Sequence, residues 1–463
     1  MAVSPAALFA ALAAPSRTTS PSVVLSRAIV VGGSIAGLLA ARALADHAES
    51  VLVVDTDGPD TGDRPRHGVP QGSQIHALLP GGLAQLERWF PGFTEEAVAA
   101  GAYLATAESR DIYVDGVLKV VGSTAAMLNG SRPFLEARIR ERVLALPNVK
   151  TISARVTDLV FDGDAVTGVQ CESEGTSAVE HADLVVDAMG RSSRLSEWLE
   201  RSGWERPPLR RMTVDLNYAT AFLRREEGDP DRAIVLALNS PANSAESSGA
   251  MVCRVEDDLW MLMMAGYRDA KPGRTPEDAV RVARKVFPAD LAAVADNEVV
   301  GEIRTYRHAD SRRRDFHLVD RLPARLVAVG DAVASFNPVY GQGMSSATLH
   351  AACLAEWLGS APDLSRPAKE FFALQKVVVD AAWDISTGAD LALPHVDGPY
   401  PRAYPVVRWA QNQISEASVH DAVIGRRFDN VTHMVDHPSA LAKPGTLARA
   451  VAVNLRHRLR SKR

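Results

Sequence analysis

Cysteine is scarce. There are three in 463 residues, Cys171, Cys253 and Cys353, far apart and in no CxxC or metal-ligand spacing. That excludes a disulfide framework and gives no metal site; reduced, buried thiols in a cytoplasmic protein are expected. No run of about 18 apolar residues occurs, so no membrane-spanning helix is expected. Neither charge sign dominates. The net charge is −5, so nothing global draws the chain to nucleic acid. The apolar run "AALFAALAA" near the start has no Lys or Arg before it, and residues 1–26 read as a flexible extension, not a signal peptide.

What is present is 46% hydrophobic and 23% charged, the balance of a globular protein with a large core. Three segments stand out: "AIVVGGSIAGLLAARAL" at 28–44, "VVDAMGRSSR" at 185–194 and "LVAVGDAVASFNPVYGQGM" at 326–344. The first begins as a buried parallel strand and turns through Gly32, Gly33, Ser34, Ile35, Ala36 and Gly37 into a helical pattern. Gly32 permits a tight turn, Ser34 is small enough for a diphosphate to approach, and Gly37 allows close helix–strand packing. The diphosphate would rest on the helix N-terminus. A second strand, "SVLVVD", ends at Asp55, about 20 residues on, where a carboxylate accepts from ribose hydroxyls.

With these motifs in this order, the chain resembles the para-hydroxybenzoate-hydroxylase-like flavoprotein monooxygenases over roughly residues 27–360, nearest to the polyether- and squalene-epoxidase branch. The resemblance implies an α/β protein: a Rossmann-like FAD-binding domain from 27–94, 131–204 and 301–360, an inserted antiparallel-sheet substrate domain from 95–130 and 205–300, and a helical C-terminal region at 361–463. It puts Asp331 on the ribityl chain of FAD and runs Pro338, Gly341, Gln342, Gly343 and Met344 beside the flavin ring. Arg66 and Arg132 would approach FAD, as would Gly190 and the backbone of Val156. Where the family usually has G-A-D-G, this chain has Asp187, Ala188, Met189 and Gly190, so the electron source is either NAD(P)H or a partner flavin reductase. The family's halogenase segment Trp-x-Trp-x-Ile-Pro does not appear.

Substrate residues are harder to read. Trp260, Met261, Met263 and Tyr267 lie on one strand pattern, where alternate members would line an apolar pocket; core packing is the competing reading. Arg304, Tyr306 and His308 alternate on another strand, Tyr306 and His308 being the candidates for catalysis. His76, in "IHALL", reads as a packed residue at a helix start, and Arg138, Arg140 and Arg142 as a solvated helix face. The basic end of the chain reads as a solvated terminus in preference to a membrane contact. No acid–base pair emerges. Oxygen transfer to an alkene needs none, so the resemblance points to transfer from a flavin C4a-hydroperoxide, with O2 as co-substrate, to a small apolar polyketide- or terpenoid-like molecule, epoxidation ahead of aromatic hydroxylation. The alternative is a flavin dehydrogenase or reductase that acts on double bonds without inserting oxygen.

Overall fold

The computed structural model describes residues 3–16, 21–58, 62–66, 68–240 and 249–460. A five-stranded parallel sheet runs in the order Leu326–Ala328, Leu184–Asp187, Leu25–Val31, Ala48–Asp55, Val149–Ser153. Its strands are unbroken apolar runs because both faces are covered; Ala28 to Val31 are at most 3% exposed. The turn helix (Ile35–Ala45) packs against the loop helix (Gln342–Gly359) and the arginine helix (Arg132–Leu144). Parallel pairing sets Val31 beside Asp187 and Asp187 beside Ala328. The three motifs, distant in sequence, therefore leave neighbouring strands at one carboxyl edge, where ligands of open α/β sheets bind.

An eight-stranded sheet forms the second layer, in the order Ala334–Ser335, Val299–Arg314, Leu209–Arg224, Leu259–Tyr267, Gly249–Val255, Ile234–Leu238, Arg110–Val114, Val117–Leu118. All its pairings are antiparallel except that of Ile234–Leu238 with Arg110–Val114. Residues 301–314, grouped with the nucleotide-binding segments on sequence, run inside this sheet as part of the strand Val299–Arg314. Strand alternation divides its faces. Ala219, Ala221, Leu262 and Met264 point back onto the helix Pro276–Val286, whose Ala279 and Ala283 are buried there. Tyr218, Met263, Ala265 and Tyr267 point forward, where Leu391, Leu393 and Val396 cover them.

Several local expectations are corrected. Residues 5–13 are not a flexible extension but a helix, capped by Ser4, with Phe9 and Leu12 buried. Gln85 and Arg88 donate to the carbonyls at its C-terminal end, so apolar anchors and end-capping together dock it. "IHALL" starts no helix; Ala77–Leu78 is a short strand, and the helix begins at Pro80. The basic tail is helical from Pro444 to Arg460, with Thr446, Ala450 and Asn454 buried; residues 461–463 lie outside the described residues. Among the described residues no helix is long and apolar enough to cross a membrane.

Candidate active site

The nucleotide end of the site is built on the Gly-rich turn. Gly32 takes φ +106°, and a Cβ on Gly37 would lie 1.8 Å from the Gly32 carbonyl oxygen, so only glycine allows this helix to cross this strand. Ser34 caps the turn helix without a side-chain bond to its first turn, which leaves that turn open for an anion. Its hydroxyl instead donates to Glu136 Oε2 at 2.7 Å and accepts from Arg132 Nη2 at 2.9 Å. Asp55 Oδ2 accepts from the Gly33 amide at 2.5 Å.

Charge is matched around this turn. Arg66 reaches Asp55 at 2.6 Å, Glu136 at 2.5 Å and Asp57 at 3.2 Å, and it donates to the Gly33 carbonyl at 3.0 Å. Arg140 donates to the same carbonyl at 2.7 Å. Arg140 is 5% exposed, so it does not belong to the solvated face expected from sequence, whereas Arg138 and Arg142 pair with Glu141 and Glu96 nearer the surface. Burial alone would raise the Glu136 carboxyl; Arg132, Arg66 and Ser34 hold it down at about 2. Burial also works against Asp55, and Arg66 wins there too, keeping it below its ordinary value. Arg132, Glu136 and Arg140 are spaced four apart on one helix face. That spacing was the available sequence signal for Glu136 and Arg140, both missed.

The second motif turns its acid inward. Asp187 accepts from Ser193 Oγ at 2.5 Å and from the Met189 amide at 2.9 Å, and burial raises its carboxyl to about 6. Met189 packs against the core, and Gly190 follows at φ +68°. In the third motif the Gly330 amide donates to His350 Nδ1 at 2.8 Å. His350 is fully buried, which lowers it to about 3 and keeps it neutral. Asp331 is a carboxylate pushed above its ordinary value by burial, with Arg132, Arg191 and Ser335 around it.

The loop after Asp331 ends at Gly341, left-handed at φ +67°, which opens the loop helix with no side-chain cap over Gln342, Gly343 and Met344. Two helix N-termini are thus uncapped, and Asp55 and Asp331 stand at the carboxyl ends of two strands of the parallel sheet. A dinucleotide carrying a diphosphate and a polyol chain fits this donor and acceptor set. Pro338 is exposed on the loop, whereas Asn337 is fully buried. Val156 lies on a strand paired to Cys171, two residues after Ala154, whose amide donates to the Asp55 carbonyl.

The expected substrate residues separate. Met261, Met263 and Tyr267 belong to the forward face, while Trp260 packs behind the sheet and donates to Asp229 at 2.8 Å. Tyr306 and His308 pair across strands with Tyr218 and Leu216 on the forward face. Burial and the nearby Arg191 lower His308 to about 3, so it is neutral. Arg304 reaches solvent beside Glu302. His76 bonds the Gln74 carbonyl at 2.8 Å, and burial and Arg132 lower it to about 3. Asp390, at the end of the long helix (Lys369–Asp390), was not seen in the sequence at all. It is buried and accepts from Asn337 at 2.7 Å and Tyr340 at 3.0 Å, and burial pushes its carboxyl up to about 7.

Comparison with known proteins agrees with this geometry. The model of the FAD binding domain family matches residues 26–362. Protein Rv3254 of Mycobacterium tuberculosis is 31% identical over 454 residues, covering 94% of this chain and 95% of that protein. Kynurenine 3-monooxygenase of Salinispora arenicola is 32% identical over 397 residues, 78% of each chain. Among solved structures, the flavin-dependent brominase Bmp2 superposes with a TM-score of 0.66 at 16% identity over 94% of this chain and 99% of its own, a likeness of fold alone.

Proposed function

The chain belongs to the para-hydroxybenzoate-hydroxylase-like family of FAD-dependent monooxygenases, and from that premise we propose that it inserts one oxygen atom of O2 into a small, largely apolar molecule. The molecule would lie where the forward face of the eight-stranded sheet, the loop 337–344 and the segment 391–396 meet. FAD, when bound, supplies the oxygen-activating chemistry. The turn Gly32–Gly37 would hold the diphosphate, Asp55 the ribose and Asp331 the ribityl hydroxyls. Arg66 and Arg132, already paired with Asp55 and Glu136, would line the phosphate end, and the open N-terminus of the loop helix would stabilise negative charge on the ring. Met261, Met263 and Tyr267 keep water from the reacting carbon, and the methionine side chains adapt to an irregular shape.

The observation that carries this reading is the convergence of three motifs on one sheet edge, opposite an apolar wall. Epoxidation was favoured from sequence because no acid–base group could be located. The buried Asp390–Tyr340 contact is an acid beside a phenol, and it favours hydroxylation of a ring bearing an ionisable substituent as the second reading. The test is mass spectrometry of products formed under isotopically labelled O2 from alkene and arene candidates. One labelled oxygen atom per product is expected. Unlabelled product, or full turnover without O2, would move the chain to the dehydrogenase or reductase class.

A further inference from the structure

The strand Leu326–Ala328 is the outermost of the parallel sheet and leads directly into Gly330 and Asp331. On its inner side the ladder continues past the strand end, the Val329 amide donating to the Asp187 carbonyl at 2.8 Å. On its outer side the backbone must bond elsewhere, and side chains of two helices take the place of a strand. Gln375 Nε2 of the long helix donates to the Ala328 carbonyl at 2.8 Å, and the Gly330 amide donates to His350 Nδ1 of the loop helix at 2.8 Å. The chain then turns. Gly330 is left-handed at φ +61°, its carbonyl accepts from the Val333 amide at 2.9 Å, and a Cβ added to it would stand 2.5 Å from the Cβ of Ala36 on the turn helix. Gly330 is thus held by the turn helix and the loop helix, and Asp331 is the next residue.

The bond to His350 has one possible sense. A backbone N–H can only donate, so Nδ1 bears no proton and the ring's single proton sits on Nε2. That nitrogen lies 3.5 Å from Ser346 Oγ, one turn earlier on the same helix. His350 is 0% exposed, and burial favours the neutral ring this geometry requires. A leucine could fill the same volume among the surrounding apolar side chains. What the histidine adds is one acceptor, aimed at the amide that precedes Asp331, and a buried amide without an acceptor is costly.

We propose that His350 is a positioning residue for the cofactor: by holding the Gly330 amide it fixes where Asp331 leaves the strand, and with it the reach of that carboxylate to the ribityl hydroxyls of FAD. The inference rests on the reading of Asp331 as the ribityl acceptor and adds the residue that sets its place. It also gives the loop helix two tasks. Its open N-terminus at Gln342 would stand at the flavin ring, and two turns further on His350 holds the strand end that carries Asp331.

The experiment titrates the full-length apoprotein with FAD and reads the dissociation constant from flavin fluorescence. The proteins are wild type, His350→Leu, His350→Asn, Asp331→Ala and the double variant of His350→Leu with Asp331→Ala. Leucine keeps the bulk and removes the acceptor; asparagine returns an amide oxygen near the place of Nδ1. His350→Leu should weaken FAD binding about tenfold, the effect of one buried amide left open, and His350→Asn should recover most of it. With Asp331→Ala already present, His350→Leu should weaken FAD little further, because a residue that acts through another is not additive with it. Melting of the apoproteins establishes that each is folded. If His350→Leu does not fold, the cycle is run with His350→Gln, whose amide oxygen stands one bond too far. A purely structural histidine would give equal losses with and without Asp331, and that result overturns the proposal. So does wild-type affinity in the His350 variants while Asp331→Ala binds FAD weakly, which leaves the Asp331 reading standing. Wild-type affinity in Asp331→Ala removes that reading and the positioning role with it.

Discussion

Asp390 shows how one buried side chain sets a pH dependence. In the unfolded chain its carboxyl titrates near 4; in the fold, burial raises it to about 7 against the hydrogen bonds of Asn337 and Tyr340. Tyr218, Tyr267 and Tyr340 around it are themselves raised and stay neutral. Below about pH 4 both states are protonated and nothing is lost. As pH rises toward 7 the unfolded chain ionises first, so stability falls, and the full loss is present above 7. Asparagine does not titrate. Asp390→Asn should therefore match wild type at pH 4 and exceed it at pH 8 by up to on the order of 4 kcal/mol, read by urea unfolding at the two pH values; equal stability at pH 8 would contradict the raised carboxyl. Asp331 works toward the cofactor instead. Asp331→Ala should weaken FAD binding about ten- to a hundredfold, the worth of a charge-assisted hydrogen bond. His76→Ala should do far less, because that ring is neutral and committed to the Gln74 carbonyl. Flavin occupancy of the purified variants is the measurement, and equal occupancy in wild type and Asp331→Ala removes the assignment.

At the scale of the element, helix ends carry most of the chemistry. The turn helix and the loop helix both begin without a side-chain cap, so backbone N–H groups remain open for anionic parts of the cofactor. The arginine helix does the reverse: it delivers charged side chains into the fold at four-residue spacing, where Glu136 ties two arginines to the turn. Its Ser131 hydroxyl caps its first turn, accepting from the Phe134 amide. The N-terminal helix Pro5–Ala13 has a structural part. It lies against the long helix, the loop helix and the helix Pro80–Trp89, and Phe9 is 1% exposed in that contact. Phe9→Ala should cost about 3–5 kcal/mol, as large-to-small changes in a packed core do. A denaturation midpoint indistinguishable from wild type would mean that this helix detaches readily.

At the scale of the whole molecule, the question is how electrons reach the flavin. The family uses NAD(P)H and O2. In this chain Met189 packs against the core at the position where the family resemblance leads one to expect a carboxylate, and Asp187 is turned inward onto Ser193. Reduction by NADH or NADPH alone should therefore be slow, and faster when a flavin reductase is added. Stopped-flow mixing decides this, and fast bleaching by either nucleotide alone would show that Met189 marks no change of donor. The two sheets also explain the apolar site: one contributes the edge with the glycine turns, the other a wall whose forward residues are covered by the segment after Asp390.

The sequence by itself determined the nucleotide-binding half. Its glycine turns, its apolar strands and the order of its motifs are local features, set by backbone sterics and strand periodicity, and they can be read from neighbouring residues. Only the tertiary structure decided the rest. Arg140 and Glu136 are charged residues in an ordinary helical pattern, and their burial follows from the helix docking on the Gly33 carbonyl. Trp260 and Met261 are adjacent, and the registration of one strand between its partners sends one behind the sheet and the other toward the site. Asp390 lies far along the chain from the loop whose asparagine it holds, and no local periodicity relates them. The contact exists because the long helix ends behind that loop, and its burial and raised carboxyl are properties of that placement rather than of the residue.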